Sequence, residues 1–438
     1  MSSARERRRR RRRHASRGRP YPERWDRAIA GVVILSGVSI AVAAPAEETS
    51  SSLLGSLQQS VNTNGGQGMK VGSAFIMPTF LVSEIFDTNV FASSKNAHSD
   101  FLTTFVPGID IESDWPRNAF SLRAQGEFRR FADYGRESTD NASVAGTGRI
   151  DIAPNAYVLA GGSYQLLHED RGALVPVNGI TPTQYTVTSG KSSFVIEPAP
   201  MGIRLDATVD SYGYNDVALY GGPVIGESAR DRVVYALSPQ LSYQIVPEYN
   251  AFIRAVVNRR EYNDTREPDG LDRSSGGYAT DVGASFNLKG FATGEIYVGY
   301  LAQNYDAHAV HAISGADFGG NLAWHPTDDL ALHFNVSRSV EESALLGSQG
   351  YLQTMVRLGV EQQVMRDLSV LGSLSYINAN FAGISGSTDI YEMKLGTRYD
   401  LSDRLSAGLE YDIRYRSGGV ALPSYTRQIV ELSLRGKL

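Results

Sequence analysis

The sequence predicts an all-β protein, a transmembrane antiparallel β-barrel of about 18 strands with short periplasmic turns and long outer loops. Two observations lead to this prediction. Apolar side chains recur at every second position over segments of about 10 residues, and short connections alternate with long polar ones along the chain. Strands of a soluble β-sandwich also alternate apolar and polar side chains. The length of the segments and their repetition along the chain therefore favour the membrane barrel.

The alternation is clearest near the C-terminal end. Leu405, Leu409 and Ile413 share one face of a predicted strand, and Glu410 and Arg414 share the other. The same period of two recurs in earlier segments, for example over 203–210, 330–337 and 352–361. The apolar face would meet lipid, and the charged face would line a lumen too wide for side chains alone to fill. Water, a plug or inward-folded loops must therefore occupy that lumen.

Two kinds of connection separate these segments, and they alternate strictly. Eight are short and have the Pro, Asn, Asp and Gly content of tight turns. These turns lie at 115–117, 153–155, 197–200, 247–248, 289–290, 326–329, 366–367 and 402–403. Nine are long and polar or Gly-rich, at approximately 92–100, 130–140, 169–181, 215–229, 263–275, 305–312, 340–350, 380–388 and 416–424. Seventeen connections predict 18 strands, with both ends of the barrel on the periplasmic side.

Aromatic side chains fall near the predicted strand ends, which is typical of girdles at the two membrane interfaces. Beside the short turns they are Trp115, Tyr157, Tyr243, Tyr249 and Trp324. Beside the long loops they are Phe131, Tyr134, Tyr214, Tyr262 and Tyr305.

Residues 1–46 are typical of a cleaved signal peptide. The arginine run 7–13 precedes an apolar stretch over 28–44, and Ala44-Pro45-Ala46 fits the small-residue cleavage rule. We predict a flexible periplasmic lead-in over 47–70 and the barrel over 71–438, in the outer membrane of a Gram-negative bacterium. Cleavage would leave 30 basic and 44 acidic residues, a net charge of about −14, which argues against a nucleic-acid partner.

Composition and motifs exclude several other classes. No second stretch of about 18 apolar residues is present, so the sequence is not that of a helical membrane protein. The absence of cysteine excludes disulfides and thiol nucleophiles. No Gly-x-Ser-x-Gly motif occurs, and His308 and His311 lack a third metal ligand nearby. We therefore predict no catalytic residue, no cofactor and no metal site.

The remaining candidates are charged side chains on the predicted lumen face. They are Arg204, Asp206, Arg357, Glu361, Glu392, Lys394, Arg398, Glu410, Asp412, Arg414 and Arg416, with Arg254 in the same class. Rows of opposite charge can select solutes by the field they set across a pore. They can equally pair with one another and keep the wall hydrated. The sequence leaves both interpretations open.

Short motifs between residues 75 and 155 carry a family resemblance. They are Pro78-Thr79-Phe80, Asp87-Thr88-Asn89-Val90-Phe91, Phe105-Val106-Pro107-Gly108-Ile109 and the run Glu112-Ser113-Asp114 before the turn at 115–117. Together with the general layout they resemble the putative beta-barrel porin 2 family. Barrels of this kind commonly end in an aromatic residue that the assembly machinery recognises, whereas this chain ends in Leu438.

The resemblance implies a passive outer-membrane conduit or accessory barrel, of a kind often linked to exopolysaccharide export. It also implies the partners: outer-membrane lipid, the barrel-assembly machinery, a polysaccharide or saccharide ligand and the proteins of an export system. Two alternatives stay open. One is a general diffusion porin for small solutes, and the other is a plugged structural or adhesive barrel that acts through its outer loops.

Overall fold

The computed structural model describes residues 68–174, 179–263, 272–308, 310–343, 345, 347–348, 350–419 and 422–438. The predicted signal peptide and nearly all of the predicted lead-in fall on residues 1–67, outside the described residues. The described ranges contain two single-turn 3-10 helices, Gly135–Glu137 and Ser228–Arg230. No helix among the described residues has the length and apolar character needed to cross a bilayer.

Eighteen antiparallel strands form the closed barrel, which confirms the predicted fold class and strand number. In chain order they are β1 Ala74–Asp87, β2 Asp100–Ser113, β3 Ala119–Phe131, β4 Thr139–Ala153, β5 Ala156–His168, β6 Gln184–Ile196, β7 Met201–Tyr214, β8 Arg232–Val246, β9 Tyr249–Tyr262, β10 Ser275–Leu288, β11 Ala292–Tyr305, β12 Ile313–Thr327, β13 Leu330–Glu341, β14 Gly350–Met365, β15 Leu368–Ala382, β16 Ser387–Ser402, β17 Leu405–Arg416 and β18 Tyr425–Lys437.

Consecutive strands pair with each other, and β18 closes the barrel by pairing with β1, with Thr79 opposite Lys437. Each of the eight predicted short turns and nine predicted long loops overlaps the connection between two consecutive strands of the barrel. A short strand, Met69–Val71, lies at the end of the predicted lead-in and pairs with the start of β1. Val217–Ala218 and Val224–Ile225 pair inside the connection between β7 and β8.

The exposed apolar side chains mark the outer surface of the barrel. On β7, Ile203, Leu205 and Val209 are exposed, while Asp206 between them is 4% exposed. On β11 the exposed positions are again alternate residues. Apolar, β-branched and aromatic residues suit such a pleated wall, and in a transmembrane barrel this set faces lipid while the intervening set faces the lumen.

The predicted girdles need one correction. Beside the short turns, Trp115, Tyr243, Tyr249 and Trp324 are exposed. Beside the long loops, the predicted girdle residues Tyr214, Tyr262 and Tyr305 are instead buried, at 6%, 8% and 9% exposure. Each occupies an inward position in the alternation of its own strand, so the outer-girdle prediction was wrong for these three.

The apolar core lies inside the barrel, at the loop ends of the strands. One cluster joins Leu174, Tyr351, Ile377, Ala379, Phe381, Ile390 and Leu422. A second joins Leu301, Tyr305, Val310, Ile313, Val340 and Leu352. A third joins Tyr185, Val187, Tyr212, Tyr214 and Val234. Apolar packing inside an otherwise polar lumen indicates that segments of the chain fold inward at this level.

Candidate functional site: a charged lumen crossed by two inward segments

The first inward segment is residues 169–174, which follow β5 and are named the strap here. Its central contact is Asp170, whose two carboxylate oxygens accept hydrogen bonds from Arg427 Nη1 at 3.1 and 3.0 Å. Arg427 also donates through Nη2 and Nε to Asp87 Oδ2, at 2.6 and 3.0 Å. Asp87 is completely buried. One arginine of β18 therefore holds the strap and a buried carboxylate of β1 together.

Backbone carbonyls of the strap are also bound by the wall. Arg416 Nη1 donates to the carbonyl of Ala173 at 2.9 Å, and Tyr425 Oη donates to the carbonyl of Gly172 at 3.1 Å. The strap ends with Leu174, which is 3% exposed and packs with Phe381 of β15. β15 lies eight strands from β5 by the shorter way round the barrel. The strap therefore reaches from one wall of the lumen toward the opposite wall.

Two ion pairs hold the base of the strap to neighbouring loops. Arg171 Nε and Nη2 each donate to a carboxylate oxygen of Glu137 at 2.8 Å. Glu169 pairs with Arg230, which also donates to Glu227 at 3.0 Å. These carboxylates are about as buried as core residues, at 4–5% exposure. Fork-shaped arginine contacts of this kind fix direction as well as distance, so they orient the strap as it leaves β5.

The charge of Asp170 is stabilised by its surroundings. Burial alone would raise the pKa of its carboxyl group, but Arg427 and Arg414 outweigh burial and hold that pKa well below its usual value of 3.8. The backbone N–H of Gly172 lowers the pKa further by donating a hydrogen bond to Oδ1 at 2.7 Å. The strap contact is therefore made by an ionised carboxylate.

This electrostatic arrangement predicts that the strap stays docked in mild acid. A carboxyl group whose pKa is depressed in the folded state contributes stability above its unfolded-state pKa and loses it only as pH falls through the depressed value. We expect the difference in single-channel conductance between the native chain and Asp170→Asn to be constant from neutral pH down to about pH 4. The measurement is conductance against pH for the native chain and for Asp170→Asn, which lacks the titrating group. Loss of this difference midway through the range would contradict the assignment.

The second inward segment is the outer end of the β13–β14 pair, residues 337–343 and 350–352. It is named the tucked hairpin here. Arg260 of β9 donates through Nη2 to the carbonyl of Val340 at 2.7 Å and pairs with Glu342. The hydroxyl of Tyr262 also donates to Glu342, and Arg273 Nη1 donates to the carbonyl of Ser343 at 2.6 Å. β9 lies four strands from β13, so these bonds draw the hairpin inward, across the intervening strands.

The predicted lumen charges of β16 and β17 form one network. Glu392 Oε1 accepts a hydrogen bond from Arg414 Nη2 at 3.0 Å and lies 3.1 Å from Lys394 Nζ. Lys394 Nζ is also 3.8 Å from Asp412 Oδ2. Glu410 is 5% exposed on the same inner face. Positive and negative groups alternate along this part of the wall.

The other predicted charges lie in smaller groups. Arg398 Nη2 donates to Glu361 Oε1 at 3.1 Å, and Arg204 Nε donates to both carboxylate oxygens of Asp206 at 2.9 Å. Arg357 is half-buried, at a position that alternates with exposed apolar residues of β14. Arg416 belongs to the strap contacts described above. Arg254 joins Asp281 and Glu295, at 3.2 and 3.0 Å.

Sequence reasoning missed five of the residues that hold the two inward segments: Asp87, Asp170, Arg260, Glu342 and Arg427. Arg427 could have been found from the alternation, because it lies an even number of residues from Glu431 and Arg435 and therefore on the same face of β18. The partners across the lumen leave no such periodic signal. Within the described part of the chain, no group of three His, Asp or Glu side chains is placed to hold a metal ion.

One protein family and several solved structures are similar to this chain. The family model described as putative beta-barrel porin 2 matches residues 64–438. A comparison with curated proteins finds no match. Among solved structures, a BenF-like porin from Pseudomonas fluorescens Pf-5 is 9% identical and is matched over 83% of this chain and 99% of its own, with a TM-score of 0.44. OccK3 (OpdO) from Pseudomonas aeruginosa is 10% identical over 83% and 95%, with a TM-score of 0.41. The siderophore receptor PirA from Pseudomonas aeruginosa is 11% identical over 83% and 80%, with a TM-score of 0.42.

Proposed function

The chain belongs to the putative beta-barrel porin 2 family, and we propose that its outer-membrane barrel is a conduit for saccharides. The observation that carries the proposal is the pairing of charges on the inner wall. Glu392 has Arg414 and Lys394 within 3.1 Å, and Arg398 has Glu361 at the same distance. Opposite charges this close cancel each other's field at a distance. Such a wall favours hydrated, uncharged solutes rich in hydroxyl groups over ions of one sign.

The two inward segments support a limit on the size of the solute. Leu174 of the strap and Tyr351 of the tucked hairpin belong to one apolar cluster, so both segments contribute to the same obstruction inside the lumen. A solute must pass beside them. A short saccharide, or a polymer threaded as a single extended strand, fits such a restricted path better than a folded macromolecule does. The polymeric case is the exopolysaccharide function that the family resemblance implies.

Planar-bilayer recording of the purified chain tests the proposal. We expect step currents in potassium chloride, and reversible interruptions of the current when glucose oligomers of increasing length are added. A matched control is Val298→Ala, which alters only an exposed apolar side chain of β11 and should keep both conductance and blockade. An absence of step current would favour a plugged barrel. Current that no saccharide interrupts, combined with strong selectivity for ions of one sign, would favour a diffusion porin for ionic solutes.

Balanced wall charges also predict how substitutions change ion selectivity. Lys394 lies between Glu392 and Asp412, and its side chain is 8% exposed. Lys394→Gln removes one positive charge and should shift the reversal potential in a salt gradient toward cation selectivity. Asp412→Asn, recorded in the same salt gradient buffered at pH 9, removes one negative charge of the same group and should shift it the opposite way. The native chain should lie between the two variants. Equal reversal potentials in all three chains would contradict a role for this network in the conducting path.

A further inference from the structure

One seam of the barrel wall, the contact between two adjacent strands, is paired over only about half its length. Among the described strands, six register pairs join β12 to β13, between Gly320–Thr327 and Val336–Leu330. Every other seam of the barrel has nine pairs or more. The unpaired part is the half nearer the long loops. The wall therefore has a local interruption on the outer-leaflet side.

Both strands keep their other neighbours at this level. β12 remains paired with β11 as far as Ile313, and β13 remains paired with β14 as far as Glu341. Residues 313–319 and 337–341 thus form two strand edges with no ladder between them. Unpaired backbone groups in contact with hydrocarbon cost several kcal/mol each, so such an edge in an outer-membrane barrel calls for an explanation.

Side-chain packing replaces the missing ladder. Val340 and Leu352 continue the outward positions of their strands, yet they are buried at 6% and 8% exposure. They pack against Leu301 and Ile313 on the inner face of β11 and β12. An ideal Cβ at Gly315 would lie 3.7 Å from Leu352 Cδ2. The tucked hairpin therefore lies behind the edge of β12, and apolar contacts close the seam where hydrogen bonds do not.

The seam also contains a cationic group. The guanidinium carbon of Arg338 lies 5.3 Å from the ring centroid of Phe318, across the gap between the two strands. Arg338 Nε is buried and has no hydrogen-bond partner. A buried guanidinium N–H without an acceptor favours an anionic oxygen, and the adjacent apolar cluster favours hydrocarbon. The two features together match one chemical class, an amphiphile with an anionic headgroup.

We propose that the β12–β13 seam is a lateral passage between the lumen and the outer leaflet for an anionic amphiphile with an acyl-type chain. Arg338 binds the headgroup, and the cluster around Leu301, Ile313 and Leu352 receives the chain. Passage requires the tucked hairpin to move away from β12, which separates apolar side chains but breaks no strand ladder. This path is distinct from the axial saccharide path, and either path can be absent without excluding the other.

A reversible lock tests the passage. The chain has no cysteine, so Gly315→Cys combined with Leu352→Cys places one thiol pair between β12 and the tucked hairpin. The control is Ser121→Cys with Thr147→Cys, on β3 and β4, whose native hydroxyl oxygens are 2.9 Å apart at a fully paired seam. The probe is a photoreactive dodecanoate in phosphatidylcholine and phosphatidylglycerol vesicles, with labelled peptides identified by mass spectrometry. We expect labelling around residues 301, 313 and 352, its loss on oxidation of the lock and its return on reduction, with no change in the control.

Arg338→Gln gives an independent result that does not depend on the lock. We expect labelling by dodecanoate to fall about tenfold, while labelling by the corresponding uncharged alcohol is unchanged. Migration of the folded form on unheated gels shows that each variant has assembled. Labelling confined to lipid-facing residues such as Val298, and equal with the lock open or closed, would overturn the proposal. Cross-linking of one copy to another through the edge at 313–319 would assign the edge to self-association instead.

Discussion

Arg427→Gln should raise single-channel conductance and lower the thermal stability of the barrel. The guanidinium binds Asp170 of the strap and the fully buried Asp87. Removing the partner of a buried carboxylate costs roughly 3–5 kcal/mol, and the hydrogen bond that Asp87 accepts from the Asn89 N–H remains as partial compensation. Release of the strap removes the obstruction from the lumen, which is the reason for the expected increase in conductance.

A second substitution separates the two effects of Arg427. Asp170→Asn removes the strap charge and leaves the Arg427–Asp87 pair intact, so we expect higher conductance with a smaller loss of thermal stability than Arg427→Gln causes. Conductance is read in planar bilayers, and stability from the temperature at which the folded gel band is lost. If Arg427→Gln lowers stability while conductance stays at the native value in both variants, the strap does not restrict the conducting path.

The barrel itself is accessible from the sequence because strand alternation is a local property. A period of two assigns each residue of β17 to a face without any knowledge of the rest of the chain. It places Arg414 and Arg416 on the same face, but it does not distinguish a wall charge such as Arg414 from a residue that binds strap carbonyls, as Arg416 does. That difference depends on a segment 243 residues earlier in the chain.

Two features could have been predicted by applying the alternation more strictly. Tyr214 has the same parity as Arg204 and Asp206 in β7, so an inward position follows from the strand pattern and overrides a general preference of tyrosine for interfaces. For Arg338 the alternation predicts an outward position, not an inward one. This residue continues the outward positions Phe334 and Val336 of β13, where a charge facing lipid is costly. A charged residue in an outward position is a signal that the wall departs from regular geometry there.

The tucked hairpin should detach when Glu342 is replaced by alanine. Glu342 accepts bonds from Arg260 and Tyr262, and the Arg260 side chain is only 5% exposed. Truncation leaves that guanidinium with the carbonyl of Val340 as its remaining acceptor, at a cost of roughly 3–5 kcal/mol for the loss of a buried charged partner. Because β13, β14 and β15 remain paired, the cost should appear as local opening of the hairpin more than as global unfolding.

Hydrogen exchange measures this opening directly. We expect faster exchange at the outer ends of β13 and β14 in Glu342→Ala, and unchanged exchange in β3 and β4. Asp306→Ala is the matched control, because the Arg259–Asp306 pair is about 40% exposed on both sides and an exposed pair contributes about 1 kcal/mol or less. Combining Glu342→Ala with Tyr262→Phe should add little to the first substitution, since both remove the same contact. If Glu342→Ala has no more effect than the control, apolar packing and the hydrogen bonds to the carbonyls of Val340 and Ser343 are enough to hold the hairpin, and Glu342 does not restrain it.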